Sequence, residues 1–154
     1  MALADLLQQD AIIPALKANS KKQLLQELAE KAAAVTGLPE REIFDVILQR
    51  ERLGSTGVGN GIAIPHGKLN SIRKIAGVFA RLDTPVAFEA LDDQPVDLVF
   101  LLLAPEGAGA DHLKALSRVA RVLRDQDLTA RLRACETAAA IFACLNQDAG
   151  TNAA

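Results

Sequence analysis

The feature of this sequence that most restricts its fold is the apolar run Val96 to Ala104, which contains one charged residue, Asp97. The run is far shorter than the roughly 20 residues that a transmembrane helix needs. Its almost unbroken hydrophobicity predicts a β-strand that is buried on both faces. Such a strand needs a layer of structure on each side, so the rest of the chain must supply two layers.

Two helices are predicted ahead of this strand. Ser20 and Gln23 form an S-x-x-Q capping box that precedes apolar residues at helical spacing, and Gly37 is the natural end of that helix. Pro39 suits the first turn of a second helix, and Arg50 falls in its last turn. The first third of the chain is therefore expected to be helical.

The remaining elements complete an α/β pattern. Further strands are predicted at Ile62 to Ile64, Ile75 to Leu82 and Val86 to Phe88. Further helices are predicted over Leu113 to Leu123 and from near Asp127 and Thr137. We expect an α/β fold in which a mixed β-sheet is sandwiched between helices on both faces.

Length and composition predict one domain, residues 1–147, and a flexible C-terminal tail, residues 148–154, that is polar and small. The first residues do not resemble an export signal, so a cytoplasmic protein without membrane insertion is expected. The 17 basic and 19 acidic residues nearly balance and aromatic residues make up 3% of the chain, which argues against nucleic acid as a partner. With two histidines and no suitable cysteine pair, neither a metal nor another cofactor is expected.

The segment from Gly54 to Lys68, GSTGVGNGIAIPHGK, predicts a shaped loop followed by a short strand. It matches neither a Walker motif nor a dinucleotide fingerprint, because the spacing of its glycines is wrong for both. It places His66 between Pro65, which restricts the backbone, and Gly67, which leaves room for a partner to approach. His66 suits a reversible phosphoryl carrier. A histidine packed at a strand end with both nitrogens satisfied is an equal alternative.

Two further residues are candidates for a phosphoryl site. A ligand in such a sheet is expected beyond the carboxyl ends of the strands, which indicates His66 and the link that contains His112. His112 lies near the start of the third long helix, where anions bind favourably. Alternatively, Asp111 caps that helix and leaves His112 exposed. Arg50 can hold phosphate oxygens if the second helix ends beside the glycine segment, and otherwise it is a solvated helix-terminal residue.

The segment RERLGSTGVGNGIAIPHGKL resembles the active-site segment of the phosphotransferase-system enzyme IIA proteins of the fructose/mannitol class, and within it the nitrogen-regulatory branch. Asp92 to Leu98 and the stretch from His112 to Ser117 extend the resemblance over nearly the whole chain. The resemblance implies a mannitol-type IIA fold. It also implies that His66 is the phosphoacceptor, that His112 supports it and that Arg50 stabilises the phosphoryl group.

The same resemblance implies the partners. The donor is expected to be a histidine-containing phosphocarrier protein (HPr or NPr) that is charged by enzyme I and phosphoenolpyruvate. The phosphorylation state is expected to regulate partner proteins such as potassium-uptake or sensor-kinase proteins. Two alternatives stay open: a sugar-specific IIA component that passes phosphate to a separate IIB protein, and a binding module that works without phosphorylation.

Overall fold

The computed structural model describes the backbone of residues 3–152 and the side chains of residues 3–147. Two short 3-10 helices, Leu3–Asp5 and Gln9–Ala11, precede the first strand. The strands are β1 (Ile12–Leu16), β2 (Gly57–Gly59), β3 (Ile62–Ala63), β4 (His66–Leu69), β5 (Ala76–Val86) and β6 (Val96–Pro105). The helices are α1 (Lys21–Thr36), α2 (Glu40–Leu53), α3 (Gly109–Leu123), α4 (Gln126–Ala134) and α5 (Ala138–Asn152).

Strand β6 lies inside a six-stranded sheet whose order is β1-β5-β6-β3-β2, with β4 also paired to β6. β5 is antiparallel to β6, whereas β3 and β4 are parallel to it, so the sheet is mixed as predicted. Consecutive residues from Leu98 to Leu103 are at most 1% exposed. Since neighbouring side chains of a strand point to opposite faces, both faces of β6 are covered, which confirms the expected α/β layering.

The predicted helix ends are formed by the expected residues. Ser20 Oγ accepts a hydrogen bond from Gln23 N at 3.1 Å, and Gln23 Oε1 accepts one from the backbone N–H of Asn19 at 2.8 Å. Gly37 ends α1 with φ of 77°, a left-handed conformation that glycine adopts without a steric penalty. Pro39 stands at the N-cap of α2. α4 and α5 also begin within one residue of their predicted starts, at Gln126 and Ala138.

The glycine segment is more regular than predicted. Its predicted loop contains β2, which pairs with β3 as a hairpin. Asn60 and Gly61 form the turn with φ of 57° and 79°. Arg133 of α4 donates from Nη2 to the carbonyl oxygen of Asn60 at 2.7 Å, and its Nε donates to Asp97 of β6 at 2.9 Å. This clamp fixes the hairpin turn to the sheet and to α4.

The position of His66 differs from the prediction. His66 follows the end of β3 by a break of two residues, but it is itself the first residue of another strand, β4. Ile62 pairs with Leu98 and His66 with Leu102, so β3 and β4 lie along β6 in one register, interrupted at Ile64 and Pro65. His66 therefore lies beside Leu102, three residues before the end of β6, whereas His112 lies beyond the carboxyl end of that strand.

Other strands and the C-terminal segment also differ from the sequence prediction. β1 was not predicted, and the two strands expected at Ile75 to Leu82 and Val86 to Phe88 are one strand, β5, which ends at Val86. β1 lies at the edge of the sheet beside β5, where its short sequence gives little periodicity. The predicted tail, residues 148–154, lies outside the described side chains, and the backbone of residues 148–152 continues α5. None of the described helices is long and apolar enough to cross a bilayer.

Candidate functional site

Arg50, His66 and His112 come from three elements and lie together. Arg50 is in the last turn of α2, His66 begins β4, and His112 is in the first turn of α3. Arg50 Nε donates to His66 Nε2 at 3.3 Å. The two imidazole rings meet edge to face, with centroids 5.6 Å apart. Arg50 and His112 are 16 and 46 positions away from His66 in the chain, yet both lie against its ring.

The hydrogen bonds of His66 determine its tautomer. Nδ1 lies 3.0 Å from the carbonyl oxygen of Ile64, which can only accept, so Nδ1 carries the proton. Nε2 then holds the free lone pair and accepts from Arg50. The ring is half-buried and fixed by the backbone on one side, and it presents an unprotonated nitrogen on the other. This is the form of histidine that acts as a nucleophile.

Gly67 has a packing role that the sequence did not indicate. A Cβ atom at Gly67 would overlap Cγ1 of Val46, in α2, and would lie 3.7 Å from Ile47 Cγ2. The space that a side chain at Gly67 would occupy is therefore filled by α2, while Gly67 itself lines the open groove. The missing side chain instead lets α2 approach β4. Arg50 follows Val46 by one helical turn, so this close approach brings its guanidinium to His66.

A buried ionic cluster holds the last turn of α2 beside the glycine segment. The Glu51 side chain is 2% exposed and pairs with Lys21 Nζ at 3.0 Å. It also accepts from Thr56 N at 3.1 Å and from the Thr56 hydroxyl. Arg50 Nη1 donates to the carbonyl oxygen of Gly54 at 2.9 Å. Arg50 and Glu51, which are adjacent in α2, thus both bind the glycine segment, and Arg50 also donates to His66.

Sequence reasoning missed Glu51, Lys21 and Thr56. A signal was present, because Glu51 continues the four-residue spacing of Ile43 and Ile47, which are both buried. An acidic residue on the apolar stripe of a helix must find a partner when it is buried. Its partners lie in another helix and in the glycine segment, so the spacing alone does not identify them.

His112 is buried, with 5% of its surface exposed. The helix α3 begins at Gly109 with Ala108 as its N-cap, and no side chain caps it, so the alternative of an Asp111 cap with an exposed His112 is wrong. His112 Nε2 has no hydrogen-bond partner among the described residues. Burial lowers the pKa of His112 below its usual value, and electrostatic interactions with His66 and Lys68 lower it further. The ring is therefore neutral at pH 7 and keeps one unused polar atom.

An open groove of about 820 Å³ surrounds these side chains. Its residues, from α2, β4 and α3, are Val46, Gln49, Arg50, Arg52, Leu53, His66, Gly67, Lys68, Gly109, His112, Leu113 and Leu116. Leu53 and Leu113 are 85% and 69% exposed. Three of these residues carry a positive charge, and none of the described residues that line the groove carries a negative one. The groove therefore favours an anion, and the exposed leucines form an apolar rim around it.

Within the described residues, no group of three or more His, Cys, Asp or Glu side chains is arranged to hold a metal ion. Both nitrogens of His66 already have partners in the chain, at Ile64 and Arg50. The arrangement of an Nε2 lone pair that only Arg50 engages, at 3.3 Å, a guanidinium and a neutral imidazole suits the reversible attachment of a phosphoryl group.

Comparisons with known proteins agree with this chemistry. Residues 5–148 match the family described as phosphoenolpyruvate-dependent sugar phosphotransferase system, EIIA 2. A nitrogen regulatory protein of Bradyrhizobium diazoefficiens is 66% identical over 145 residues, which cover 94% of this chain and 95% of that protein. The crystal structure of the nitrogen regulatory protein IIA-Ntr from Neisseria meningitidis is similar with a TM-score of 0.88 and 34% identity, covering 93% of this chain and 98% of that one.

A more distant structure supports the fold alone. The crystal structure of IIA mannitol from Escherichia coli has a TM-score of 0.76 at 24% identity and covers 90% of this chain and 97% of that one. The mixed sheet and its covering helices are therefore those of the mannitol-type IIA fold.

Proposed function

The chain belongs to the EIIA 2 family of the phosphoenolpyruvate-dependent sugar phosphotransferase system, and from that premise we propose that it carries a phosphoryl group on His66. The donor is a histidine-containing phosphocarrier protein, HPr or NPr, in the cytoplasm. The phosphorylation state then regulates partner proteins. The observation that carries this proposal is the unprotonated Nε2 of His66, which faces Arg50 at the groove.

The transfer exchanges one nitrogen–phosphorus bond for another. The phosphorus atom leaves the donor's histidine nitrogen, which keeps the electron pair of the broken bond. His66 Nε2 uses its lone pair to form the new bond, while Nδ1 keeps its proton on the Ile64 carbonyl. The two bonds are of the same kind, so the reaction is reversible, and the protein contributes position and electrostatic stabilisation.

Arg50 stabilises the phosphoryl oxygens. Its Nε–H is directed at His66 Nε2 and can turn to an oxygen as phosphorus takes the lone pair. Nη1 stays on Gly54, which anchors the guanidinium, and Nη2 has no acceptor among the described side chains and backbone. A planar, anchored guanidinium is well suited to bind a phosphoryl group through two donors.

His112 assists from the other side of His66. Its unpartnered Nε2 is buried and close to the acceptor ring, and its lowered pKa keeps it neutral. A hydrogen bond from this nitrogen to a phosphoryl oxygen satisfies a buried polar atom and supports the phosphohistidine.

Regulation follows from the charge of the product. A phosphoryl group adds up to about two negative charges to a groove lined by positive side chains. A partner that covers His66 must pair this charge or exclude it, so its affinity depends on the phosphorylation state. The names of the similar nitrogen regulatory proteins support a regulatory role, and potassium-uptake and sensor-kinase proteins are the proposed targets.

The decisive experiment combines the purified chain with enzyme I, the phosphocarrier and phosphoenolpyruvate. We expect a mass increase of one phosphoryl group that is lost in acid. His66→Ala should fold like the wild type and show no increase, whereas His112→Ala should be labelled more slowly. No labelling of the wild type by a charged phosphocarrier would favour a binding module, and equal labelling of His66→Ala would place the acceptor elsewhere.

A further inference from the structure

Lys68 lies on the same side of β4 as His66. Residues two apart in a strand point to the same face and are separated by about 7 Å. His66 and Lys68 both line the groove, as does the buried Gly67 between them, on which a Cβ would meet Val46 of α2. The ammonium group on the four-carbon stem of Lys68 can therefore reach a group that is attached to His66.

The positive charge of Lys68 is not neutralised by a neighbouring acidic side chain among the described residues. The side chain is exposed, and no carboxylate of the described residues pairs with it. Its positive charge is felt by the buried ring of His112, where it contributes to the lowered pKa. Lys68 thus lines the groove with the two histidines, close enough to His112 to act on its charge, and has no acidic partner among the described residues.

Arg50 and Lys68 approach His66 from different elements. The guanidinium comes from α2 and is anchored on Gly54, whereas Lys68 comes from β4 and its side chain is exposed. A phosphoryl group has three peripheral oxygens, and Arg50 and His112 together do not exhaust their capacity to accept hydrogen bonds. Electrostatic stabilisation of transferred phosphoryl groups relies on positive groups placed around these oxygens.

We propose that Lys68 is a further phosphoryl-binding residue, whose ammonium group holds an oxygen of the phosphoryl group on His66 Nε2. This inference rests on the proposed function of His66. Lys68 forms no bond to phosphorus and exchanges no proton in the transfer. It lowers the energy of the transition state and of the phosphohistidine by neutralising negative charge, and its exposed side chain lets it follow the group from donor to acceptor.

The test compares Lys68→Gln and Lys68→Arg with Lys114→Gln. Lys114 is an exposed cation on α3 that does not line the groove, so its variant controls for the loss of one surface charge. Each protein is phosphorylated by the phosphocarrier and by phosphoramidate, a small donor that needs no docking surface. The phosphohistidine is then followed by its hydrolysis and by a ³¹P chemical-shift titration, after circular dichroism has verified the fold.

For Lys68→Gln we expect transfer to slow about tenfold from both donors, with faster hydrolysis of the phosphohistidine and a raised pKa of the phosphoryl group. Lys68→Arg should restore most of the rate, and Lys114→Gln should stay within about twofold of the wild type at moderate salt.

Slowing with the phosphocarrier alone, or an unchanged ³¹P titration, would overturn the proposal and assign Lys68 to docking or to no role. Failure of the wild type to accept phosphate from either donor would instead refute the proposed function of His66.

Discussion

Replacing Gly67 with alanine tests how the fold brings Arg50 to His66. The new Cβ overlaps Val46 Cγ1 and makes ordinary contacts elsewhere, such as 3.7 Å to Ile47 Cγ2. Overpacking of a closed interface costs about 1–3 kcal/mol. Removing a glycine from a strand returns about 0.5–1 kcal/mol, and the backbone of Gly67 needs no positive φ. A net loss of about 1 kcal/mol is expected from these two effects.

Val46→Ala removes Cγ1, the atom that the new Cβ would overlap, so it should lessen the cost of Gly67→Ala. By itself it deletes two partly buried methyl groups, which costs about 1 kcal/mol. In this background Gly67→Ala should be neutral or slightly stabilising. Urea denaturation of the wild type, both single variants and the double variant gives the coupling energy directly, and we expect about 1–3 kcal/mol.

The same four proteins report on the site. If α2 moves away from β4, the guanidinium of Arg50 moves with it, and displacements below about 1 Å can slow a positioned reaction tenfold or more. We expect slower phosphoryl transfer in Gly67→Ala and recovery in the double variant. Gly107→Ala is the matched control, because a Cβ there meets nothing within 4 Å. An equal cost of Gly67→Ala with and without Val46 would refute the reasoning.

Three other predictions concern the site residues. Arg50→Lys should slow single-turnover transfer roughly tenfold or more, because one ammonium cannot bind both Gly54 and phosphate as a guanidinium does; wild-type kinetics would contradict the role of Arg50. The pKa of His112 is lowered in the folded chain, so the unfolded state binds more protons and the free energy of unfolding should fall as the pH drops below about 6.5. Urea denaturation on both sides of that pH should show a smaller fall in His112→Asn, and equal falls would argue against a buried neutral ring. A regulatory partner titrated with unmodified and phosphorylated protein should show two different affinities, with His66→Asp as a crude mimic of the charge; equal affinities of the two authentic forms would refute the switch.

Local signals in the sequence were sufficient for much of the fold. The Ser20 capping box, the Gly37 helix end and the apolar strand at Val96 are confirmed, because each depends on residues within one or two turns or on uninterrupted hydrophobicity. The expected position of a ligand beyond the strand ends indicated His66 and His112, and Arg50 was a conditional candidate, whereas the role of each residue was implied by the resemblance to a family. Strand β1 and the continuity of β5 were missed, since edge strands and strand ends carry weak periodicity.

The sequence by itself determined which side chains have the required chemistry: a histidine beside proline and glycine, a second histidine and an arginine at a helix end. Only the tertiary structure decided how they act together. The registers of β3 and β4 place His66 beside Leu102 of β6, Gly67 lets α2 approach, and Lys21 and Thr56 satisfy the buried Glu51 next to Arg50. These contacts join residues that are distant in the chain, so their energies arise only when the packed layers bring them together, and no local pattern encodes them.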